Sequence, residues 1–497
     1  MRWLLVCSFL GCAAAPKIVA APDVAAPAPE PAQVEPQRSW VRTPMPAPLA
    51  VVPRLRPQAR TLTLKNGLKV VVVEDHRVRL VKTRLFLPSG SAAEPEELAG
   101  STYFALALLG DTFDELDGDG RPVRPLEKSA RYLAVMAGAS LQFDVTPDSS
   151  WVGIDGYSVD TAAILRRLDA VVTDRRHGEN SFEARSQAVA DMVNELEITD
   201  GEVLAQYLTQ LAFGAGHPYA RPVFGTTKSI LRLGIEDILE RQGQVLTPVG
   251  STLLIAGDVT ADDVFHKAQV AFGDWKGTAA ERVPVPVPQV SKRRAVVFLP
   301  RRPSRNTLVC LARPLSDVKA SAAATELAVA VLGQTRISQM LREKLGLTYS
   351  VTSAMVERRV ARALLICARV RATETVNATR LMLEEVAAYE KRPPTAAELE
   401  QVRAMAITES ETAQDDLPGI VEAWRRAAMM RQAAPSVTDV TELREVTLEE
   451  VAAISKKISS VDSVQVIFSG ERPLVEAAAR ANALGPLKVP VLGRVTE

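Results

Sequence analysis

The chain has 497 residues, of which 47% are hydrophobic and 24% are charged, so it can bury more than one core and has the composition of an ordinary folded protein. Its 59 basic residues balance its 59 acidic residues, which leaves no bulk charge to attract nucleic acid or an anionic membrane. We therefore expect no nucleic-acid partner.

The N-terminus has the pattern of an export signal. Arg2 precedes an apolar run at residues 3–10, which is too short to span a bilayer. The run ends in Phe9-Leu10-Gly11-Cys12, which resembles a bacterial lipobox, where cleavage leaves a lipid-modified cysteine. We predict a signal peptide at residues 1–12, lipidation of Cys12, and a periplasmic protein whose only membrane contact is its lipid anchor. Secretion without an anchor is the second interpretation.

Folding is predicted to begin near Arg60, after a Pro/Ala-rich linker at residues 13–59 that favours an extended tether. Asn66-Gly67 is a strong signal for a hairpin turn between two strands. The acidic loop at residues 111–125 lacks the carboxylate that a calcium loop would need at Leu126, so we predict no calcium site. The periodic segments of the first half predict strands at 61–64, 68–73, 78–87, 141–146 and 150–157, and helices at 98–109, 161–172 and 181–197.

Few imidazoles are available to bind a metal, because the chain contains only four histidines. His217 has no second His or Cys near it in sequence. Asp262 or Asp263 has helical spacing to His266, but Thr260 followed by Asp263 fits a capping box at the start of a helix. We expect no metal ligand among these residues.

Two segments of the chain share one pattern at an offset of 213 residues. Residues 234–258 and 447–471 each read as a helix followed by an apolar strand that ends in glycine and an acidic residue. Similarity at a fixed offset over this length suggests duplication. The Pro-Val alternation at residues 283–288 cannot pair inside a sheet, so it predicts a link between two similar halves.

The second half contains the only cysteines outside the signal peptide, Cys310 and Cys367, each within a strand-like apolar run. The favoured interpretation is two buried small side chains, and a single bridge between neighbouring strands is the alternative. A strand at residues 306–312 precedes a long helix at 321–344, which leads into the segment 341–351. There Arg342 ends the helix and Tyr349 follows on the next strand, so a guanidinium and a phenol are available to bind a peptide carbonyl or carboxylate.

These features resemble the insulinase/pitrilysin peptidases, the inverted-zincin family. The resemblance is carried by the flanks Asn66-Gly67-Leu68, Pro88-Ser89-Gly90-Ser91 and Leu98-Ala99-Gly100, and by the segments 217–226 and 341–351. It implies an α+β fold of two tandem similar domains, each a mixed or antiparallel sheet packed with helices. We place these domains at residues 60–280 and 291–497, with a linker at 281–290.

The resemblance also implies which functional residues are missing and which are kept. In that family a His-x-x-Glu-His helix binds zinc, and it would fall on Tyr103, Leu106 and Ala107 of this chain, while a third, glutamate ligand would fall at Ala190. We therefore expect no catalytic residue, metal ligand or cofactor in this chain. By contrast, Arg342 and Tyr349 match the family's pair that holds the bound peptide and helps to stabilise the oxyanion.

This contrast predicts a non-catalytic subunit of a heterodimeric periplasmic zinc metallopeptidase, which supplies Arg342 and Tyr349 to a partner with an intact zinc motif. We expect a peptide substrate, zinc in the partner only, and no enzymatic activity of this chain by itself. The alternative is a peptide-binding or scaffold lipoprotein without a peptidase partner. An active zinc peptidase with unrecognised ligands is the least favoured interpretation.

Overall fold

Two six-stranded β-sheets form the centre of the computed structural model. The structure describes residues 58–110, 139–175, 177, 179–198, 200–214, 216–300, 304–413, 415–435 and 440–489. Residues 58–497 form one compact unit. Cys12, the rest of the predicted signal peptide, nearly all of the linker and the acidic loop at 111–125 lie outside the described residues. In the described part of the chain no helix is both long and apolar enough to cross a membrane.

The strands of the first sheet follow the order β1-β2-β6-β3-β5-β4, and those of the second follow β12-β7-β11-β8-β10-β9. The first six strands are β1 Ala59–Thr63, β2 Lys69–Glu74, β3 Leu80–Leu87, β4 Ser140–Val145, β5 Ser150–Tyr157 and β6 Thr252–Gly257. The others are β7 Val296–Pro300, β8 Asn306–Pro314, β9 Thr348–Glu357, β10 Arg362–Arg371, β11 Gln465–Gly470 and β12 Leu487–Lys488. β2 pairs with β6, and β7 with β11, in parallel, whereas most other neighbours are antiparallel.

Helices pack on both sheets, which confirms the predicted α+β fold with two mixed sheets. The α-helices of the first half are α1 Ser101–Ala107, α2 Thr161–Thr173, α3 Glu179–Ile198, α4 Asp200–Phe213, α5 Thr227–Ile230, α6 Ile235–Val245 and α7 Ala261–Phe272. Those of the second half are α8 Ala322–Ala330, α9 Thr375–Lys391, α10 Ala396–Ala413, α11 Leu417–Met429, α12 Val440–Glu445, α13 Leu448–Ile458 and α14 Arg472–Ala481. Short 3-10 helices lie at Ser91–Ala93, Glu96–Leu98, Ser158–Asp160, Pro218–Ala220, Ala372–Glu374 and Val461–Ser463.

The predicted hairpin and repeat are both present. Gly67 has a φ of 89°, in the left-handed region that a glycine adopts easily, and it turns the chain from β1 into β2. In the repeat, α6 and β6 correspond residue for residue to α13 and β11, 213 positions later. Both helices begin in the same way: Gly234 donates its N–H to Asp237, and Thr447 donates its N–H to Glu450, each at 2.8 Å. β6 and β11 also take the same place in their sheets.

Each sheet is covered on one face by helices of its own half and on the other by a helix from the opposite half. Leu208 of α4, in the first half, packs on the second sheet among Val297, Leu299, Cys310 and Ile467. Conversely, α11 of the second half places Leu417, Ile420 and Trp424 on the first sheet, against Val71, Val73, Phe86, Leu254 and Ala256. Each of these two helices buries apolar surface on the sheet of the opposite half, so separating the halves would expose one apolar face of each sheet. Residues 275–291 contain neither helix nor strand, and the exact predicted boundaries at 280 and 290 stay predictions.

The favoured interpretation of the two cysteines is wrong. Cys310 on β8 lies directly opposite Cys367 on β10, their Cα atoms are 4.1 Å apart, and the sulfurs are bonded. The register of two strands that are distant in sequence decides this pairing, and neither apolar run reveals that register.

The helix predicted at residues 321–344 is confirmed in its extent but is only partly α-helical. It begins where Ser321 accepts the N–H of Ala324, and after α8 it continues as π-helical turns at Val331–Ile337 and Gln339–Lys344. The predicted capping box at α7 also does not form, because the Thr260 side chain makes no cap and Ala261 donates its N–H to Glu74 instead, at 2.7 Å.

Candidate functional site

Two groups of predicted site residues lie in very different surroundings, and the first lies on and beside α1. Glu94 fixes the start of this helix, because its buried carboxylate accepts the backbone N–H groups of Gly100 and Thr102 at 2.8 and 2.7 Å. Burial raises the pKa of the Glu94 carboxyl, while hydrogen bonds from Thr102 and the charge of Arg241 act in the opposite direction. Arg241 in turn donates to the Thr102 hydroxyl at 2.9 Å. Sequence reasoning missed both residues, although an acid just before a helix is a signal for such a cap.

The positions predicted to have lost the zinc ligands are packed with apolar atoms. Leu106 is 1% exposed and lies in the main core of the first half. Ala107 and Ala190, on α1 and α3, meet in one apolar cluster, where Ala190 is 2% exposed. Tyr103 borders this cluster, donates its hydroxyl to the Met192 sulfur at 3.2 Å, and packs against two phenylalanine rings. These side chains do not fit zinc, because three of the four predicted ligand and base positions that they occupy carry no donor atom.

The histidines are dispersed over the described residues, where no three side chains of His, Cys, Asp or Glu form a group that could hold a metal ion. His217 donates through Nε2 to the Pro286 carbonyl at 2.7 Å and accepts the Tyr219 N–H through Nδ1 at 3.0 Å, so it joins the segment 217–226 to the link between the halves. His266 is exposed on α7, whose acidic residues Asp262 and Asp263 pair with Arg60 and Lys267.

Tyr219 holds the two halves together through a buried acid. Its hydroxyl donates to Asp148 at 2.7 Å, and Asp148 also accepts the backbone N–H of Arg359 from the β9–β10 turn at 2.9 Å. Burial and the neighbouring Asp148 raise the pKa of the Tyr219 phenol far above its ordinary value. The segment 217–226, which carries much of the family resemblance, therefore has a structural role here.

The second group consists of Arg342 and Tyr349, whose side chains are exposed and lie next to each other. Tyr349 is 85% exposed at the start of β9, and the Arg342 guanidinium lies 5.9 Å from the centre of its ring, within range of a cation–π contact. Gly346 makes the turn between them with a φ of 60°, and its N–H donates to the Arg342 carbonyl at 3.2 Å. Leu347, next to the turn, is buried and donates its N–H to the Leu341 carbonyl, which holds the end of the helix against the start of β9. The pair can therefore present donors outward without losing core packing.

Comparisons with known proteins agree with this architecture. The sequence pattern of the peptidase M16 inactive domain matches residues 232–406. Subunit 1 of the mitochondrial cytochrome b-c1 complex of Caenorhabditis elegans is 26% identical over 232 residues, which is 46% of each chain. The matched region thus spans about half the length of this relative and of the mitochondrial-processing peptidase β subunits that also match.

Two solved structures are similar to this chain over nearly their whole length. The peptidase M16 inactive domain from Pseudomonas fluorescens superposes with a TM-score of 0.70 at 22% identity, covering 84% of this chain and 98% of that one. The first half of the periplasmic protease PqqL from Escherichia coli gives a TM-score of 0.71 at 13% identity, with coverage of 88% and 99%. These similarities define the class of fold, a two-sheet M16-type architecture. With the matched inactive domain and the sequence relatives, the chain is an insulinase-like member of the peptidase M16 family.

Proposed function

We propose that this chain is the non-catalytic subunit of a zinc metallopeptidase pair, in which Arg342 and Tyr349 bind the peptide while a partner subunit with an intact His-x-x-Glu-His helix holds the zinc. The guanidinium offers five donors and a permanent charge, and the phenol offers one more donor. Donors of this kind, aimed at the oxygen on which charge develops, stabilise the transition state of amide hydrolysis.

The proposal rests on the opposite solvent exposure of the two groups, the former zinc-ligand positions and the Arg342/Tyr349 pair. Leu106, Ala107 and Ala190 are sealed in apolar clusters, whereas Arg342 and Tyr349 stand in solvent beside each other. A tyrosine that only filled a core would be buried, and Tyr349 is not. The inactive-type domain at residues 232–406 is consistent with a subunit that does not catalyse by itself.

The partner and the compartment have separate support. One sequence relative is named as a subunit of a larger complex, and one structural relative is the first half of a periplasmic protease. The disulfide between Cys310 and Cys367 fits an oxidising compartment such as the periplasm. Together with the signal-like segment that ends at Cys12, this supports export and lipid anchoring of the chain.

The proposal is tested by purifying the affinity-tagged chain from its native envelope and identifying what accompanies it. A second insulinase-like subunit with an intact zinc helix should be present, and the pair should hydrolyse peptides. Arg342→Ala and Tyr349→Phe should each lower the kcat of the pair by about a hundredfold to a thousandfold, since each removes a transition-state donor. Arg232→Gln, at an exposed arginine of the first half, is the matched control and should change nothing.

If no such subunit accompanies the chain and peptides still bind at Arg342, the peptide-binding scaffold replaces the peptidase subunit. If the pair forms but both variants retain full kcat, the role given to Arg342 and Tyr349 is wrong.

A further inference from the structure

An apolar patch lies at one end of the first sheet, where the β2–β3 loop meets the end of β5. Its members are the exposed side chains of Val78, Leu80, Tyr157 and Val159. Their exposed fractions range from 42% to 88%. Leu80 and Tyr157 lie directly opposite each other in the pairing of β3 with β5, which brings the two segments together. Single exposed apolar residues are common on protein surfaces, but a group of this kind marks an interaction surface.

Asp258, just after β6, holds both segments of the patch in place. Its carboxylate hydrogen-bonds to His76 Nδ1 at 2.7 Å and accepts the Ser158 hydroxyl at 3.1 Å. Its backbone N–H donates to the Leu80 carbonyl at 3.0 Å. These bonds tie the β2–β3 loop and the end of β5 to the same residue. A binding partner would therefore meet a framework that is already ordered, which lowers the entropy cost of docking.

The folded part of the chain begins at the same end of this sheet. β1 starts at Ala59, which lies opposite Val73 near the end of β2, just before the β2–β3 loop. Three strand spacings separate β1 from β3, so the start of β1 lies roughly 15 Å from the patch. The segment that we predict to connect the domain to a lipid on Cys12 therefore joins the domain at the end that carries the patch.

We propose that the apolar patch docks on the lipid surface to which the chain is anchored, so that this end of the first sheet faces the bilayer. The inference rests on the lipid anchoring that is part of the proposed function. The sequence alone predicted no membrane contact besides the anchor, because the patch forms only where segments distant in sequence meet. The residues proposed to bind peptide, Arg342 and Tyr349, belong to the second sheet, so docking does not use them.

The side chains of the patch have the chemistry of a membrane interface. Val78 and Leu80 can enter the boundary between headgroups and acyl chains, and Tyr157 combines an apolar ring with a hydroxyl that can stay in water. Arg79 is exposed between the two aliphatic residues, so its guanidinium can reach a lipid phosphate. A patch of this size binds a bilayer weakly by itself, but an anchor on the same chain keeps it at a high effective concentration.

The charges at this end of the sheet favour apolar contact over attraction to anionic lipid. Three carboxylates there are paired with basic side chains: Asp75 with Arg77, Asp258 with His76, and Asp262 with Arg60. Because these pairs largely cancel their own charges, no strong positive field is directed at the membrane. Docking should therefore depend little on the content of anionic lipid.

The test places a spin label in the patch of the full lipidated chain, reconstituted in vesicles of phosphatidylethanolamine and phosphatidylglycerol. Cys7 is removed with the signal peptide, Cys12 carries the lipid, and Cys310 is bonded to Cys367, so Val159→Cys introduces the only free thiol. Oxygen concentrates in the bilayer and a nickel chelate stays in water, so their collision rates with the label report its depth. The ratio of oxygen to chelate collisions should be several-fold higher at 159 than at a control position in water.

Val270→Cys is the matched control, because Val270 is also an exposed valine, near the end of α7. This helix ends beside the β1–β2 turn at the opposite end of the sheet, where the Asn66 side chain donates to the Phe272 carbonyl at 2.7 Å. With the label at 159, Val78→Asp/Tyr157→Asp should lower the ratio to the value at 270. The equally charged variant Leu231→Asp/Val270→Asp should leave it unchanged, and so should vesicles of phosphatidylcholine alone.

Equal collision ratios at 159 and 270 in an acylated chain would overturn the inference and leave the anchor and the proposed subunit function intact. Mass spectrometry of the N-terminal peptide reports the acyl group separately, and its absence would overturn the anchoring together with this inference. Protection of the label at 159 from both reagents by the partner subunit, without vesicles, would also overturn it, because the patch would then be a protein interface.

Discussion

The two sheets differ in the side-chain interaction that joins neighbouring strands at equivalent positions of the repeat. In the first sheet Leu254 lies opposite Arg84, and in the second the residue 213 positions later, Ile467, lies opposite Cys310. Arg84 bonds to Asp155 at 2.5 and 3.1 Å and stacks on a tryptophan, whereas Cys310 is bonded covalently to Cys367 on the next strand. Duplicated frameworks thus keep backbone positions while the side chains that join the strands diverge.

The difference follows from what covers each position. The disulfide lies beneath Leu208 and its neighbours on α4, in an apolar layer where a charge would be costly. Arg84 lies toward the polar part of the first sheet, where it donates to Asp155 and Gln142, and Lys82 pairs with the same Asp155. Gly153 is required there, because a Cβ at that position would lie 3.0 Å from the Arg84 side chain and 1.9 Å from the Thr83 carbonyl oxygen.

Removing the disulfide should have the largest effect on stability. The bond closes a loop with a sequence separation of 57 residues, so a Cys310→Ala/Cys367→Ala variant should lose about 4 kcal/mol of unfolding free energy, measured by denaturant titration. A reductant should lower the stability of the wild type once it is unfolded and refolded, but should not affect the variant. Identical transition midpoints for the oxidised wild type and the variant would show that the second sheet does not depend on this bond.

Arg84→Met should have the next largest effect, about 2 to 3 kcal/mol, because it leaves Asp155 half-buried with only Lys82 as an ionic partner. Burial alone would raise the pKa of Asp155, but hydrogen bonds and charge from Arg84 and Lys82 outweigh it and lower that pKa. The folded state then gains stability above the ordinary aspartate range and loses it as pH falls. The variant should therefore show a weaker loss of stability in acid than the wild type, and an unchanged acid profile would contradict the role of Arg84.

Glu398→Gln should cost less, about 1 kcal/mol at neutral pH, because the group is partly solvated. Glu398 accepts two hydrogen bonds from Arg336, at 2.8 and 2.9 Å, and although burial opposes ionisation, these bonds lower its pKa to about 2. The stability that it contributes is present above the unfolded-state pKa and lost as pH falls toward 2, so the variant and the wild type should converge there. Glu281→Gln, at an exposed carboxylate of the segment 275–291, is the control and should leave thermal unfolding unchanged at every pH.

Asp169→Asn should have the smallest effect and the opposite sign. Burial raises the pKa of Asp169 to about 6, so folding becomes less favourable as pH rises through the interval between its unfolded and folded values. The variant lacks this cost and should gain up to about 1 kcal/mol at neutral pH, with no gain near pH 4. Thermal unfolding at both pH values measures this, and a gain that is independent of pH would show that the carboxylate charge is not its cause.

Much of the fold could be predicted because its signals are local. Asn66-Gly67 is a hairpin by itself, and the repeat at residues 234–258 and 447–471 gives a helix and a strand of matching length in both halves. The joining of Arg342 and Tyr349 could also be predicted, since a glycine turn separates them by only a few residues. Each of these depends on residues that are near one another in sequence.

The remaining features depend on distant parts of the chain. The Cys310–Cys367 bond depends on the register between β8 and β10. The packing of α4 and α11 on the sheet of the opposite half depends on the second apolar face of each sheet. Neither helix has a pattern that tells which sheet it covers. The π-helical turns at Val331–Ile337 and Gln339–Lys344 likewise read as an ordinary helix, because their apolar spacing differs little from that of an α-helix.

The most direct test is to purify the chain alone and to measure its zinc content together with its peptidase activity. The account predicts far less than one zinc ion per chain and no hydrolysis, because Tyr103, Leu106, Ala107 and Ala190 offer no set of metal donors. Tightly bound zinc at one ion per chain, with peptide hydrolysis that a chelator abolishes, would contradict it.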